Sequence, residues 1–516
     1  MSGRTSEASP LMANELINVV GNTRRTLRRK RIKLACFILS FLLLLIASLG
    51  LMIISFPMEG IVSTKVEEII KNEVVLQDGS FSLPIWTDPP VKMYKDFFIF
   101  NWTNPDNVIN GSQKPNFKIL GPYKYREYRT KYIDNKHSNK CVISYIQHKT
   151  YEFDPEASFP LMKNDKVFVL NIPVAAAPQQ ISNTIERIAL EGAIKATGAK
   201  LYKEIEVDDL IWGYTDTFIE LLQTVGKFPK GVKFQIQKND DPRDYNSLSS
   251  VGTGRCNISD LGNFHQWDGF TSLDIWNDSE HNKVKGTEGL LNQPLLKEGQ
   301  ELFIWIDDIM RWAVIYDTGE RHTRKGLLTW RFTNTKEFFY NETRYPPNRG
   351  WYQNAPEGLL YIGNSTIPAG NPVWGSNPLF YQGDPGLVQN VSGVTPDPSK
   401  YTYADIEPLT GAVVYVHRQI QINFELRRAD YLFYKHLPEV TYFPVMYVDE
   451  HGELSQELYD TISQKLLLAQ IGYGAHWVLL VIGILLLIPT VIIGFCILKH
   501  IQVIKAIKVY RDITSP

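Results

Sequence analysis

The sequence predicts a membrane protein that is mostly β with α, a large β-rich body held between two transmembrane helices. Residues 34–56 and 477–498 carry no charge, and each stretch is long enough to cross a hydrocarbon layer of ~30 Å as a helix. Between them, segments alternate apolar and polar residues at period two. The clearest is GAVVYVHRQIQINFEL (411–426), where Val414, Val416, Ile420, Ile422, Phe424 and Leu426 alternate with Tyr415, Gln419, Gln421, Asn423 and Glu425. The chain also has only 4 cysteines in 516 residues, so a packed core must hold the body together.

In chain order, residues 1–33 form a polar tail with net charge +6, and 34–56 form the first span. The span is too long for the apolar core of a cleaved leader and lies behind a tail, which marks a retained anchor. Residues 61–76 read as a helix beside that span. Strands follow at 91–102, 140–153, 301–306, 312–316 and 327–332, separated by turn-rich stretches such as NPDNVINGSQKP (104–115) and TPDPSK (395–400). Two helices interrupt them. ISNTIERIALEGAIKATGAKLYKEI (181–205) places Ile181, Ile185, Ile188, Ala189 and Ile194 near one face, and DDLIWGYTDTFIELLQ (208–223) has an N-cap at Asp208 or Asp209. Residues 454–470 form a helix leading into the second span, 477–498, where Pro489 is tolerated because freed backbone groups can be re-satisfied locally. The tail 499–516 carries +3.

The charges set the topology. Basic flanks on both spans put both tails in the cytoplasm and leave a body, 57–476, of net charge −10 on the other side. The N-x-S/T acceptors Asn101, Asn110, Asn257, Asn277, Asn341, Asn364 and Asn390 all fall in that body and none in a tail. Of the cysteines, Cys36 and Cys496 lie in the spans. Cys141 and Cys256 face an oxidising compartment, as one intrachain disulfide or as two separate thiols.

A net charge of −1 offers no whole-chain case for nucleic acid. HExxH, GxSxG, P-loop, CxxC and dinucleotide fingerprints are missing, the histidines are scattered, and no metal or cofactor site is expected. Asp307 and Asp308 read as a strand-end pair at the surface; adjacent strand residues point to opposite faces and cannot flank one glycosidic bond. The chain is therefore expected not to be an enzyme.

GPYKYRE (121–127), NIPV (171–174), LIWGYTD (210–216), GTEG (286–289), FYQGD (380–384), DIEPLTG (405–411) and FPVMYVDE (443–450), with FFIFNWTNP (97–105), run in the order seen in class B scavenger receptors. The chain resembles that family from the first span to the second, and most of all its lysosomal integral membrane protein branch. The resemblance implies an antiparallel β-barrel-like ectodomain, a helical apex at about 175–223, and an internal apolar tunnel that carries fatty acid, sterol or phospholipid toward the membrane. A dry conduit removes the barrier of exposing hydrocarbon to water, roughly 0.8 kcal/mol per CH₂, without a catalytic group.

It also implies an apex that docks protein or lipoprotein ligands, where Lys195, Lys200 and Lys203 would meet an anionic partner. Two departures stand out: relatives staple the second half of the ectodomain with disulfides, whereas residues 257–475 contain no cysteine, and the apical helices lack a histidine that could sense acid.

In the first tail, Glu7-Ala8-Ser9-Pro10-Leu11-Met12 resembles an acidic dileucine signal with Met in the last place, an address read by clathrin adaptors. The resulting expectation is a glycosylated receptor of endosomal or lysosomal membranes, with the plasma membrane as a further address, that takes up lipid or lipid-bearing ligands. A trafficking receptor for a lysosomal hydrolase is the rival within the family, and a two-pass ligand-gated channel the rival outside it.

Overall fold

The structure, a computed structural model, describes residues 10–181, 183–237, 247–351, 354–366 and 369–514. It divides into two units, 1–69 with 464–516, and 70–463. The first unit holds most of the helices Pro10–Val74 and Gln456–Thr514, which contain the apolar stretches Arg25–Phe56 and His476–Val509, both long enough to cross a membrane. The first helix begins well before its span because the Arg- and Lys-rich run is made of good helix formers. The two stretches meet through small residues: Ser48 Oγ donates to the Gly483 carbonyl at 2.8 Å, and a Cβ on Gly483 would come within 2.8 Å of Met52. That close approach is how helices associate where lipid offers no hydrophobic drive.

Among the described residues the second unit is built on fifteen strands: β1 Lys92–Trp102, β2 Phe117–Ile133, β3 Val142–Phe153, β4 Lys166–Leu170, β5 Tyr202–Glu206, β6 Ser249–Gly252, β7 Phe264–Gln266, β8 Glu301–Ile306, β9 Arg311–Arg324, β10 Leu327–Asn334, β11 Leu360–Tyr361, β12 Val373–Ser376, β13 Tyr403–Ile406, β14 Val413–Arg427 and β15 Val440–Glu453. Eleven form one antiparallel path, β7-β6-β3-β2-β1-β15-β14-β13-β10-β9-β8, with β12 and β11 added beside β14, while β4 and β5 pair separately. The alternating segment 411–426 becomes β14, paired along its length with β15.

The two ends of this path are joined by the GTEG segment. Phe264 N donates to Gly286 O at 2.9 Å, Thr287 N to Phe303 O at 3.0 Å and Trp305 N to Thr287 O at 2.8 Å, so the sheet closes into a barrel and has no open edge there. Only glycine serves at 286: φ is +93°, and a Cβ would sit 2.4 Å from Phe303 O.

The helical insertion is shorter and more broken than the periodicity predicts. The helix predicted over 181–205 spans Thr184–Thr197 and stops at Gly198, whose φ of +65° makes a left-handed C-cap; the chain then turns into β5. The helix predicted over 208–223 divides at Gly213 into Val207–Trp212 and Thr217–Thr224. Its cap is Asp216, which accepts from Phe218 N and Ile219 N, rather than Asp208 or Asp209. Aromatic residues fill the half of the barrel where β1 runs from Phe97 to Trp102, with Trp102 and Phe443 rings 4.8 Å apart. Toward Lys92, β1 borders open space.

Candidate functional site

That space is a cavity of about 800 Å³, within the range that takes whole small-molecule ligands. Phe81, Ile85 and Trp86 at the short helix Ser82–Thr87, Met93 of β1, Val414 and Val416 of β14, and Leu458 and Ile462 near the start of the last helix give it apolar walls, with Arg126, Glu127, Arg129, Lys325 and Glu453 also on its lining. A second chamber of about 150 Å³ shares Met93, Arg129, Leu290, Val413 and Val416 with the first.

The inner chamber is lined by Arg129, Lys149, Glu288, Asp307, Arg418 and Glu450, and Lys95, Glu127, Lys131 and Asp308 extend this charge set beyond it. Strand periodicity brings charges to one face: Glu127, Arg129 and Lys131 recur every second residue on β2. The register does the rest. Glu450 on β15 lies directly between Lys95 on β1 and Arg418 on β14, and reaches them at 2.5 and 2.6 Å. Arg129 and Lys149 oppose each other as like charges on β2 and β3. Arg129 is compensated by Glu127 at 2.6 Å, and Lys149 by an ion pair with Asp307. Glu288, delivered by the closing GTEG turn, pairs with Lys131 at 2.9 Å and reaches Arg129 at 3.7 Å; Asp308 pairs with Arg418 at 2.8 Å. Five cations therefore face five carboxylates.

Burial opposes the charges of Glu450, Glu127, Asp307 and the five cations, and pairing decides the outcome. For Glu450, burial raises the pKa, but Arg418 and Lys95 overcome it and hold the carboxyl below its usual range. Glu127 follows the same course through Arg129 and Lys149, and Asp307 is held lower still by Lys149 and Arg418. Lys131 is the exception. Burial pulls its amine down to about 8 in spite of Glu288.

Asp307 lines the chamber and pairs with Lys149 on β3, which corrects the surface reading for that residue, whereas Asp308 is exposed, as the surface reading has it, and pairs with Arg418 on β14. The interior charges were missed because each looks like an ordinary solvated strand residue. Their signal is the repetition of charge at alternate positions of one strand.

The three predicted lysines do not share one state. Lys195 and Lys200 are exposed, whereas Lys203 pairs with Asp216 at 2.6 Å and lies over the Tyr214 ring. Cys141 and Cys256 are joined in a disulfide with Cα atoms 5.3 Å apart, tying the start of β3 to the turn after β6. Asn110, Asn257, Asn277 and Asn390 are exposed, while Asn101, Asn341 and Asn364 are half-buried. The Asn364 amide donates to Ile275 O at 2.5 Å and the Asn277 amide to Arg349 O at 3.1 Å. Leu11 and Met12 fall in the first turn of the helix Pro10–Val74, and Glu7 lies outside the described residues.

Comparison with known proteins agrees with the earlier resemblance. The chain is 28% identical over 463 residues to scavenger receptor class B member 1 of Bos taurus, covering 86% of this chain and 88% of that protein. It is 29% identical over 443 residues to lysosome membrane protein 2 of Homo sapiens, covering 84% and 89%. The family model described as the CD36 family matches residues 39–494, which include part of each apolar stretch and the whole barrel. The protein belongs to the CD36 family.

Proposed function

We propose that the protein is a two-pass receptor of endosomal or lysosomal membranes that binds lipid or lipid-bearing ligands and passes lipid toward the bilayer. The observation that carries this reading is the largely apolar 800 Å³ cavity at the Lys92 end of β1. Its lining ends at Leu458 and Ile462, shortly before the second apolar stretch begins in sequence at His476. Hydrocarbon moved through such a space avoids exposure at roughly 0.8 kcal/mol per CH₂. The basic tails favour cytoplasmic termini, and the similarity to lysosome membrane protein 2 favours the lysosomal address, with Glu7, Leu11 and Met12 as the adaptor-read signal.

Lipid extraction and mass spectrometry of the full chain, purified in detergent, tests the cavity. A co-purifying lipid is expected, and Leu290→Trp, which fills the boundary between the chambers, is expected to lower its occupancy. A wild-type protein free of lipid would overturn the proposal. Leu11→Ala with Met12→Ala should shift the protein to the plasma membrane; an unchanged distribution removes the sorting role.

A second reading, a trafficking receptor for a soluble hydrolase, is favoured by the helix Thr184–Thr197, which exposes Ile185 and Ile188 at 80% and 62%. Changing both to Ser should abolish hydrolase capture if that reading holds and leave bound lipid unchanged.

A further inference from the structure

The basic run before the first apolar stretch holds more than a topology determinant requires. Arg25, Arg28, Arg29 and Lys33 recur at the i, i+3, i+4 spacing of one helix face, and the helix Pro10–Val74 carries them without a break into the uncharged run 34–56. All four are exposed. Orientation by the positive-inside rule needs an excess of Lys and Arg and is nearly indifferent to neighbouring acids. Yet no Asp or Glu occurs from 16 to 58 on this helix or from 461 to 511 on the other. Among the described residues, none of the four cations forms an ion pair. Like charges at this spacing repel one another and weaken a helix, so the face keeps an imbalance that an anion from outside can relieve.

The opposite face shows what holds the helix in spite of that repulsion. Leu27, Lys30, Leu34, Phe37 and Phe41 are half-buried at helical spacing. Phe37 and Phe41 of this stripe meet the last helix: the Phe37 and His500 rings are 5.2 Å apart, and a Cβ on Gly494 would come 3.4 Å from Phe41. Packing therefore turns the four cations outward and orders them before any ligand arrives. Ile32, 55% exposed, stands on the same outward face, an apolar contact for acyl chains beside the charges.

Three of the four cations are arginines, whose planar forks match phosphate oxygens and keep their charge at every working pH. They and Lys33 span about 12 Å of helix, so a head group with several phosphates can engage more than one of them at once.

We propose that this face binds a phospholipid head group bearing phosphomonoesters, in the leaflet beside the basic tails. The site is separate from the barrel cavity, and its failure would leave the lipid-binding reading above untouched. Soluble inositol phosphates offer the same phosphate chemistry; the lipid is the source favoured here, because the face abuts the apolar run and carries Ile32.

The full chain in neutral detergent is titrated with dioctanoyl phosphatidylinositol bisphosphate, dioctanoyl phosphatidylserine and inositol trisphosphate, with binding read by calorimetry. The bisphosphate lipid is expected to bind about tenfold or more tightly than either other probe. Arg25→Gln with Arg28→Gln and Arg29→Gln, which leaves Lys30, Arg31 and Lys33 to orient the span, is expected to weaken it about tenfold or more. Phosphatidylserine binding as tightly as the bisphosphate overturns the selection for phosphomonoesters and returns the run to topology alone. Inositol trisphosphate binding as tightly overturns the lipid source. A triple variant that binds like wild type overturns the site and assigns the lipid to the barrel. The three wild-type titrations decide the head-group selection even if the variant fails to fold.

Discussion

Lys195 and Lys200 stand on the outside of the helical insertion with their amines in water, whereas Lys95 and Lys131 lie inside the barrel at 2% and 3% exposure. On the outside, charge is cheap to keep and weakly held, because water screens it. Inside, each amine is kept by a specific carboxylate fixed through strand register, and losing that partner strands a charge in a poorly solvating place. The same residue type is thus a replaceable surface feature in one region and part of the frame in the other.

The comparison can be broken at several points. The largest effect is expected at the seam. Gly286→Ala forces a left-handed alanine against Phe303 O, adding strain of about 1–3 kcal/mol to a steric overlap at the point of closure. The variant should fail to reach a folded state, seen as glycans that never mature beyond the endoplasmic reticulum form; normal maturation would show that closure does not depend on this turn. Next, Glu450→Ala leaves Lys95 and Arg418 facing each other without their shared carboxylate and should cost about 3–5 kcal/mol in detergent denaturation.

Lys131 gives a pH test. Its folded pKa of about 8 lies below the 10.5 of a free amine, so the unfolded chain binds the extra proton between these values. Its contribution to stability therefore rises as pH climbs from about 8 to 10.5, and wild type should gain on Lys131→Met across that window. A constant difference would mean that the amine is not depressed. At the outer end, Lys203→Ala breaks a part-exposed pair with Asp216 and should cost about 1 kcal/mol or less, while Lys195→Ala and Lys200→Ala should stay within about 0.5 kcal/mol. Large losses at Lys195 or Lys200 would erase the distinction between the two regions.

Much of the architecture was legible because hydropathy and alternation report it directly. The strands β1, β3, β8, β10 and β14 fall within a few residues of the sequence reading, and the spans 34–56 and 477–498 lie inside the longer apolar stretches Arg25–Phe56 and His476–Val509. β2 was not, since Gly121, Pro122 and a run of Tyr, Lys, Arg and Glu conceal a strand whose inner face is charged. The helical insertion was overextended for a different reason: apolar period continues past Gly198 and through Gly213, but backbone geometry ends the helices there. The charge cluster was out of reach because it depends on register among β1, β2, β3, β14 and β15 and on two turns from elsewhere in the chain. Pattern within a segment says nothing about which segment lies opposite.

The turn that zips the barrel also carries Glu288 to Lys131 and Arg129. Until that seam forms, Lys131 on β2 lacks its counter-ion and its neighbour Arg129 has Glu127 alone, so solvent must supply the rest. Expelling water from the lumen is thereby tied to completing the wall, so a half-assembled molecule stays wet inside until it is finished.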